Sequence, residues 1–170
     1  IFSDFGEMVF TAKGISGPLV LSASAHLGVK KHTYPYEALI DLKPALDADT
    51  LDKRLLRDFE ENINRDFANA LSNLLPAKMI PVMIEMCGIS ARQKVNTITR
   101  AQRENLCRLL KAFPFTVIAA GGWEEAVVTA GGIAVKEIDP KTMASKLVPE
   151  LYFAGEIMDV DAYTGGFNLQ

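Results

Sequence analysis

The stretch YEALIDLKPALDADTLDKRLLRDF, Tyr36 to Phe59, decides the fold class, because the period of its apolar residues changes partway along it. In YEALIDLK the side chains alternate. Tyr36, Ala38, Ile40 and Leu42 fall on one face, and Glu37, Leu39, Asp41 and Lys43 on the other. A period of two reads as a half-buried strand, since successive strand side chains point to opposite faces. Leu39 interrupts the polar face, which predicts that this face is partly covered. From Asp47 onward the period is 3.6: Leu51, Leu55, Leu56 and Phe59 form a helical stripe, with Asp49 or Thr50 as the expected N-cap.

The helical period continues downstream. Phe67, Leu71, Leu74 and Leu75 make a second stripe ended by Pro76, and PAKMIPVMIEMCG predicts a third helix from Pro76, stopped by Gly88. Pro81 falls in its first turns, where a missing N–H costs little. A fourth helix opens on the capping box Thr99-Arg100-Ala101-Gln102 and runs through Leu106, Leu109 and Leu110. Strand chemistry lies on both sides of this block. Upstream are EMVFTA (Glu7 to Ala12), a Gly14/Gly17 turn and a short apolar helix, PLVLSASAHL, opening at Pro18 with Ser16 as its expected N-cap. Downstream, FTVIAAGG, EAVVTAGG, IAVKEID and SKLVPELYFAGEIM are short Val-, Ile- and Thr-rich runs broken by glycine. The economical architecture is α+β: a small β-barrel in two parts, residues 1–46 and 113–139, with a four-helix subdomain inserted at 47–112. Residues 140–170 form a further C-terminal piece.

Composition excludes several classes. The 170 residues carry 18 Lys+Arg against 21 Asp+Glu, a formal charge of −3. With no Lys/Arg-rich block, a nucleic-acid or anionic-membrane partner is not expected. At 49 % hydrophobic and 23 % charged residues the chain reads as globular rather than disordered. It lacks an apolar run of the about 18 residues that a spanning helix needs, so no membrane segment is expected. Cys87 and Cys107 sit in apolar helical patterns without a CxxC or a nearby histidine. They read as buried hydrophobes in a reducing compartment, and the expected localisation is cytoplasmic. The chain opens at Ile1 and stops at Gln170, just after what reads as the first turn of a helix. The expectation is a piece of a longer protein.

The familiar chemical signatures are absent: no G-x-G-x-x-G between strand and helix, no phosphate loop, no H-E-x-x-H, no G-x-S-x-G. His26 and His32 read as surface or cap residues. Glu156, Asp159 and Asp161 lack EF-hand-like spacing, and no metal site is expected. What remains is the C-terminal run: VTAGGI (Val128 to Ile133), LYFAGE (Leu151 to Glu156) and TGGFNLQ (Thr164 to Gln170). LYFAG reads as a buried strand ending at Gly155, where backbone can approach a ligand closely. Glu156 stands at its C-terminal end, where α/β sheets present ligand-binding groups. Thr164-Gly165-Gly166 begins a helix whose free N–H groups and dipole favour an anionic ligand group. An ordinary turn and N-cap would explain these residues equally well.

The order T-x-G-G-[IV], then D-P-x-T (Asp139 to Thr142), then P-x-L-Y-F-A-G-E and a Gly-Gly helix start resembles the C-terminal part of FAD-dependent oxidoreductases. A similar string occurs in the succinate dehydrogenase, fumarate reductase and aspartate oxidase group. More closely, FTAKGISGP (Phe10 to Pro18), the helical block and the whole run from Val128 to Gln170 resemble the BaiN/RdsA family of NAD(P)/FAD-dependent flavoproteins. In that family an insert of a barrel and a helical subdomain separates the halves of a two-layer FAD domain. The resemblance therefore implies that residues 140–170 are a C-terminal fragment of an FAD-binding α/β domain.

It also implies roles. Glu156 would accept hydrogen bonds from the ribityl hydroxyls of FAD, beside Gly155. The amides of Gly165, Gly166 and Phe167, in the helix start opened by Thr164, would face the N1–C2=O2 edge of the flavin, while Asp159 and Asn168 brace that loop. Thr129, Gly131 and Gly132 would lie near the flavin or substrate. NAD(P)H would be the reductant and an organic small molecule, such as one with an activated C=C, the acceptor. No residue reads as a clear proton donor; Tyr163 is the candidate. Two departures stand out: Thr11-Ala12-Lys13 replaces the family's F-T-H, and Ala162 takes a position suited to glycine in its D-G-x-T-G-G. For Gly14, Ser16, Gly17 and Pro18 a strand-to-helix turn is favoured over substrate contact. The isolated chain is expected to be inactive, to need the remainder of its own FAD domain, and to dimerise if its truncated C-terminal edge finds a second copy. The alternative is a non-catalytic interaction or substrate-capping module of a larger protein.

Overall fold

Residues 2–27, 34–128 and 130–160 are described by the structure, a computed structural model. The chain divides into two units: Pro35–Val117, and Ile1–Tyr34 with Ile118–Gln170.

In the first of these, β3 (Tyr36–Ile40) pairs antiparallel with the distant β4 (Phe113–Val117), in register Tyr36↔Val117 through Ile40↔Phe113. Four helices are strung between these strands: α2 (Ala48–Glu61), α3 (Phe67–Ala70), α4 (Met79–Cys87) and α5 (Arg100–Lys111). The alternation read for Tyr36–Ile40 holds, with Tyr36, Ala38 and Ile40 half-buried and Glu37 exposed. Leu39 is 70 % exposed, however, because its face of the two-stranded sheet, shared with Pro114 across the register, has no second layer in this unit.

The helices collapse on one apolar cluster. Leu51 and Leu55 of α2, Phe67 of α3, Leu71, Met83 of α4, Ile89, and Leu106 and Leu110 of α5 are at most 1 % exposed. Each such side chain stabilises the fold by about 1.5–3 kcal/mol relative to leaving it in water. Leu56 lies one residue off the Leu51–Leu55 line, about 100° around the helix, and is 39 % exposed. The N-cap of α2 is Asp47 rather than Asp49 or Thr50: its carboxylate accepts from the Thr50 N–H at 2.7 Å. The helix starts earlier than expected because Asp47 holds the extended backbone a cap requires. At α5 the expected capping box is complete, Thr99 accepting from the Gln102 N–H and Gln102 from the Thr99 N–H. The third expected helix begins at Met79, three residues after Pro76, with Pro81 still in its first turn and Gly88 as its cap. Lys111 ties the end of α5 to the strand exit, its Nζ donating to the Asp41 carboxylate and to the carbonyls of Lys43 and Leu46.

The other unit has little regular structure. β1 (Val9–Phe10) and β2 (Ile15–Ser16) form a two-residue hairpin, followed by α1 (Pro18–His26) with Pro18 at its start. Its N-cap is Gly17, not Ser16. Gly17 sits at φ 109°, and a Cβ there would stand 3.0 Å from the Met8 Cα, so the chain crosses too closely for a side chain.

Among the described residues, five α-helices and two two-stranded sheets make an α+β arrangement. Among the described residues there is no closed barrel, where the sequence predicts one. Closure needs every strand paired on both sides. Here a 3-10 turn at Trp123–Glu125 ends where EAVVTAGG begins, another at Val135–Glu137 lies within IAVKEID, and Glu7–Ala12 contributes a strand only at Val9–Phe10. Glycines and short runs leave too few consecutive extended residues to extend a ladder.

Candidate functional site

The segment from Gly131 to Val160 is held together by backbone. Three single-residue bridges link it: Ile133↔Met158 in parallel, Ile138↔Ser145 and Ala144↔Tyr152 in antiparallel. The D-P-x-T string is a side-chain-capped turn, with Asp139 Oδ1 accepting from the N–H of Lys141 at 2.8 Å and Thr142 at 3.2 Å. Those two bonds hold the Asp139 carboxyl below its ordinary value near 3.8. Ser145 Oγ accepts from the N–H of Leu147 and Val148 in the same manner. Ile138 is buried beneath these turns.

The parallel bridge brings two of the sequence motifs together. The Ile133 N–H donates to the Ile157 carbonyl at 2.9 Å, and the Asp159 N–H donates to the Ile133 carbonyl at 2.9 Å. Gly131-Gly132-Ile133 is thus laid directly against A-G-E-I-M-D. Gly132, at φ 135°, makes this crossing feasible: a Cβ there would meet the Ile157 carbonyl oxygen at 2.5 Å and the Asp159 nitrogen at 3.0 Å. Gly131 and Gly155, also at positive φ, have open space where a side chain would stand.

Glu156 occupies a 3-10 turn, Gly155–Ile157, just ahead of the Met158 bridge, and is exposed. Asp159 is fixed by its main chain, with its side chain exposed. LYFAG is not the buried strand expected. Tyr152 makes one bridge, to Ala144, and is 64 % exposed, because a single-residue bridge without a second layer shields neither face. The structure therefore joins Gly131, Gly132, Gly155, Glu156 and Asp159. Thr129, Thr164, Gly165, Gly166, Phe167 and Asn168 lie outside the described residues, as do His32, Asp161 and Tyr163.

Other candidates are accounted for structurally. His26 ends α1 and stacks on Phe2 with ring centroids 4.6 Å apart. Lys13 stands 3.9 Å from Glu125, both exposed, a contact of little energetic weight. Thr11 Oγ1 accepts from the Gly14 N–H, closing the β1–β2 turn. Cys87 and Cys107 are free and buried, and burial pushes both thiols above their ordinary range. Among the described residues no group of three or more His, Cys, Asp or Glu could hold a metal ion, and no helix is long and apolar enough to cross a membrane.

Residues 1–128 match the family model described as the HI0933-like protein barrel and H2TH domain. The chain belongs to this family. Its HI0933-like relatives, the BaiN/RdsA group of the resemblance above, include a 3-dehydro-bile acid delta(4,6)-reductase of Clostridium scindens, 32 % identical over 170 residues, covering 98 % of this chain and 41 % of the relative. A ribosomal RNA dihydrouridine synthase of Haemophilus influenzae is 32 % identical over 169 residues, covering 99 % and 40 %. The dihydrouridine synthase of Escherichia coli is 29 % identical over 165 residues, covering 96 % and 39 %. The chain thus spans about two fifths of the length of these HI0933-like enzymes. Its relatives carry oxidoreductase and synthase names, so the family is enzymatic.

One feature escaped the sequence reading. In the Pro35–Val117 unit, Thr50, Lys53, Arg54 and Arg57 of α2, with Leu46, line an open cleft of about 350 Å³. Their i, i+3, i+4, i+7 spacing was the available signal.

Proposed function

We propose that the whole protein is a flavin-dependent oxidoreductase in which FAD, reduced by NAD(P)H, passes a hydride to an organic acceptor, and that this chain supplies one wall of the flavin site. The observation that carries the reading is the crossing of Gly131–Ile133 with Gly155–Asp159. It gathers the Gly131-Gly132 pair and the A-G-E string on one stretch of backbone. The residues present fit the group: Gly131 and Gly155 leave the main chain open to close approach, and Glu156 offers an exposed carboxylate to hydroxyl donors. FAD would supply the two-electron chemistry. Glu156 would bind and orient the ribityl chain, and Asp159, its main chain fixed by Ile133, would hold the loop that follows. Thr164, Gly165, Gly166, Phe167 and Asn168 would complete the wall with helix-start amides favouring negative charge on the ring edge.

The names of two relatives, a delta(4,6)-reductase of 3-dehydro bile acids and a dihydrouridine synthase, both denote adding two hydrogens to a conjugated C=C. An acceptor with an activated C=C follows for this protein. The exposed Leu147, Val148, Leu151, Tyr152 and Ile157 support a surface that the remainder of the FAD domain, or a second copy in its absence, covers. The isolated 170-residue chain is then inactive, acting as the insert of a larger enzyme.

The test is Glu156→Ala in the full-length protein purified without added cofactor. The expected result is loss of bound flavin with unchanged folding. Undiminished flavin content would overturn the Glu156 assignment; stoichiometric, tightly bound FAD in the 170-residue chain alone would contradict its need for the remainder of the FAD domain.

A further inference from the structure

α4 is apolar almost all the way round: Met, Ile, Pro, Val and Cys fill it, and Glu85 is its single charged residue. A helix of that composition is expected to be covered on every side. Here one side is covered. Met83 and Cys87 are buried, and Ile80 and Ile84 pack against the core beside them. On the other side Val82 is 41 % exposed, and Met79 and Met86 are only partly buried. At positions i, i+3 and i+7 these three make one stripe about two turns long. Lys78, the N-cap, already has helical backbone, so Lys78 and Glu85 line one edge of the stripe. Both are exposed, and among the described residues neither side chain has an ion pair or a hydrogen-bond partner.

We propose that this stripe is a two-fold dimer contact, in which α4 packs antiparallel against α4 of a second copy of the protein. The stripe is its own complement. In an antiparallel pair centred on Val82, that residue meets its own copy at the axis, and Met79 falls beside Met86 of the second copy. At each end the Lys78 ammonium of one copy comes beside the Glu85 carboxylate of the other. A contact in which i meets j and j meets i is what a two-fold dimer requires. A parallel pair sets like residues at the same level and gains neither ion pair. The flexible methionines let two such stripes fit together. One nine-residue helix on each side makes a small interface, so the dimer is reversible and concentration-dependent. The contact belongs to the Pro35–Val117 unit and stands whether or not the flavin reading does.

The test is sedimentation velocity on the full-length protein over a range of concentrations. There, on the reading above, the exposed Leu147, Tyr152 and Ile157 are already covered. The expected result is a monomer–dimer equilibrium. Lys78→Glu or Glu85→Lys alone brings like charges together at both ends and should weaken it about fivefold or more. The combined variant K78E/E85K restores opposite pairs and should return to within about twofold of the unaltered protein. Val82→Asp sets two carboxylates face to face at the axis and should abolish the dimer, with an unchanged circular dichroism spectrum. A protein that is monomeric at every concentration overturns the contact, and if it carries flavin the flavin reading survives that failure. Dimerisation that none of these variants alters places the interface elsewhere and overturns it too. So does a combined variant no tighter than the single reversals.

Discussion

The two units of this chain are stabilised by different means. In Pro35–Val117, Leu51, Phe67, Met83, Leu106 and Leu110 meet in one buried apolar cluster, and amphipathic helices supply their own core. In the other unit Ile138 is the sole fully buried hydrophobic residue among those described, while Leu147, Tyr152 and Ile157 stay exposed. Its geometry is set by main-chain bonds, capped turns and the Gly132 crossing instead. The candidate ligand residues lie in this second, poorly buried unit. A segment that keeps backbone and apolar surface uncovered is suited to be completed by something else, and the core-bearing unit is not.

The sharpest way to break this contrast is Leu106→Ala. Leu106 is 0 % exposed, and truncation should cost about 2–5 kcal/mol, read as a large fall in the denaturation midpoint of the helical signal. A cost as small as that of an exposed leucine would mean the helices do not own their core. Thr99→Ala removes the capping box of α5 and should cost about 1 kcal/mol in the same experiment. Gly132→Ala should leave that helical transition unmoved while stripping hydrogen-exchange protection from the Ile133 and Asp159 amides. A shifted helical transition in that variant would show that the units are energetically one. The smallest expected effect is in acid. The Thr50 N–H holds the Asp47 carboxyl below its ordinary value near 3.8. Because the folded value is depressed, its contribution is present above that ordinary value and lost as the pH falls through the folded one. Asp47→Asn should keep the cap and flatten this part of the acid limb; an unchanged acid profile would remove Asp47 from it.

Legibility followed the same division. The helices were readable because Leu51–Leu55 and Leu106–Leu110 repeat at the helical period and because Thr99 and Gln102 announce a start. The Asp47 cap was missed for lying just ahead of two other plausible caps. The barrel was legible only in part: the family model matched by residues 1–128 is described as a barrel, yet among the described residues no ladder closes, and a 3-10 turn at Val135–Glu137 interrupts the strand propensity of IAVKEID. Propensity describes what fits a pleated sheet, and pairing needs a partner within reach. Of the candidate site, Gly155, Glu156 and the T-x-G-G string were legible as motifs. Their parallel contact was not, because a single-residue bridge between segments about 25 residues apart leaves no periodic trace. The cationic cleft was hidden by an even overall balance of charge, since composition does not register that three cations share one face of α2.

The central claim, a flavin-dependent oxidoreductase whose cofactor wall begins in this chain, is tested most directly by the visible absorption spectrum of the full-length protein purified without added cofactor. The account predicts a flavin band that bleaches on adding NADH or NADPH and returns with an acceptor containing a conjugated C=C. A colourless protein that takes up no FAD on incubation would contradict it.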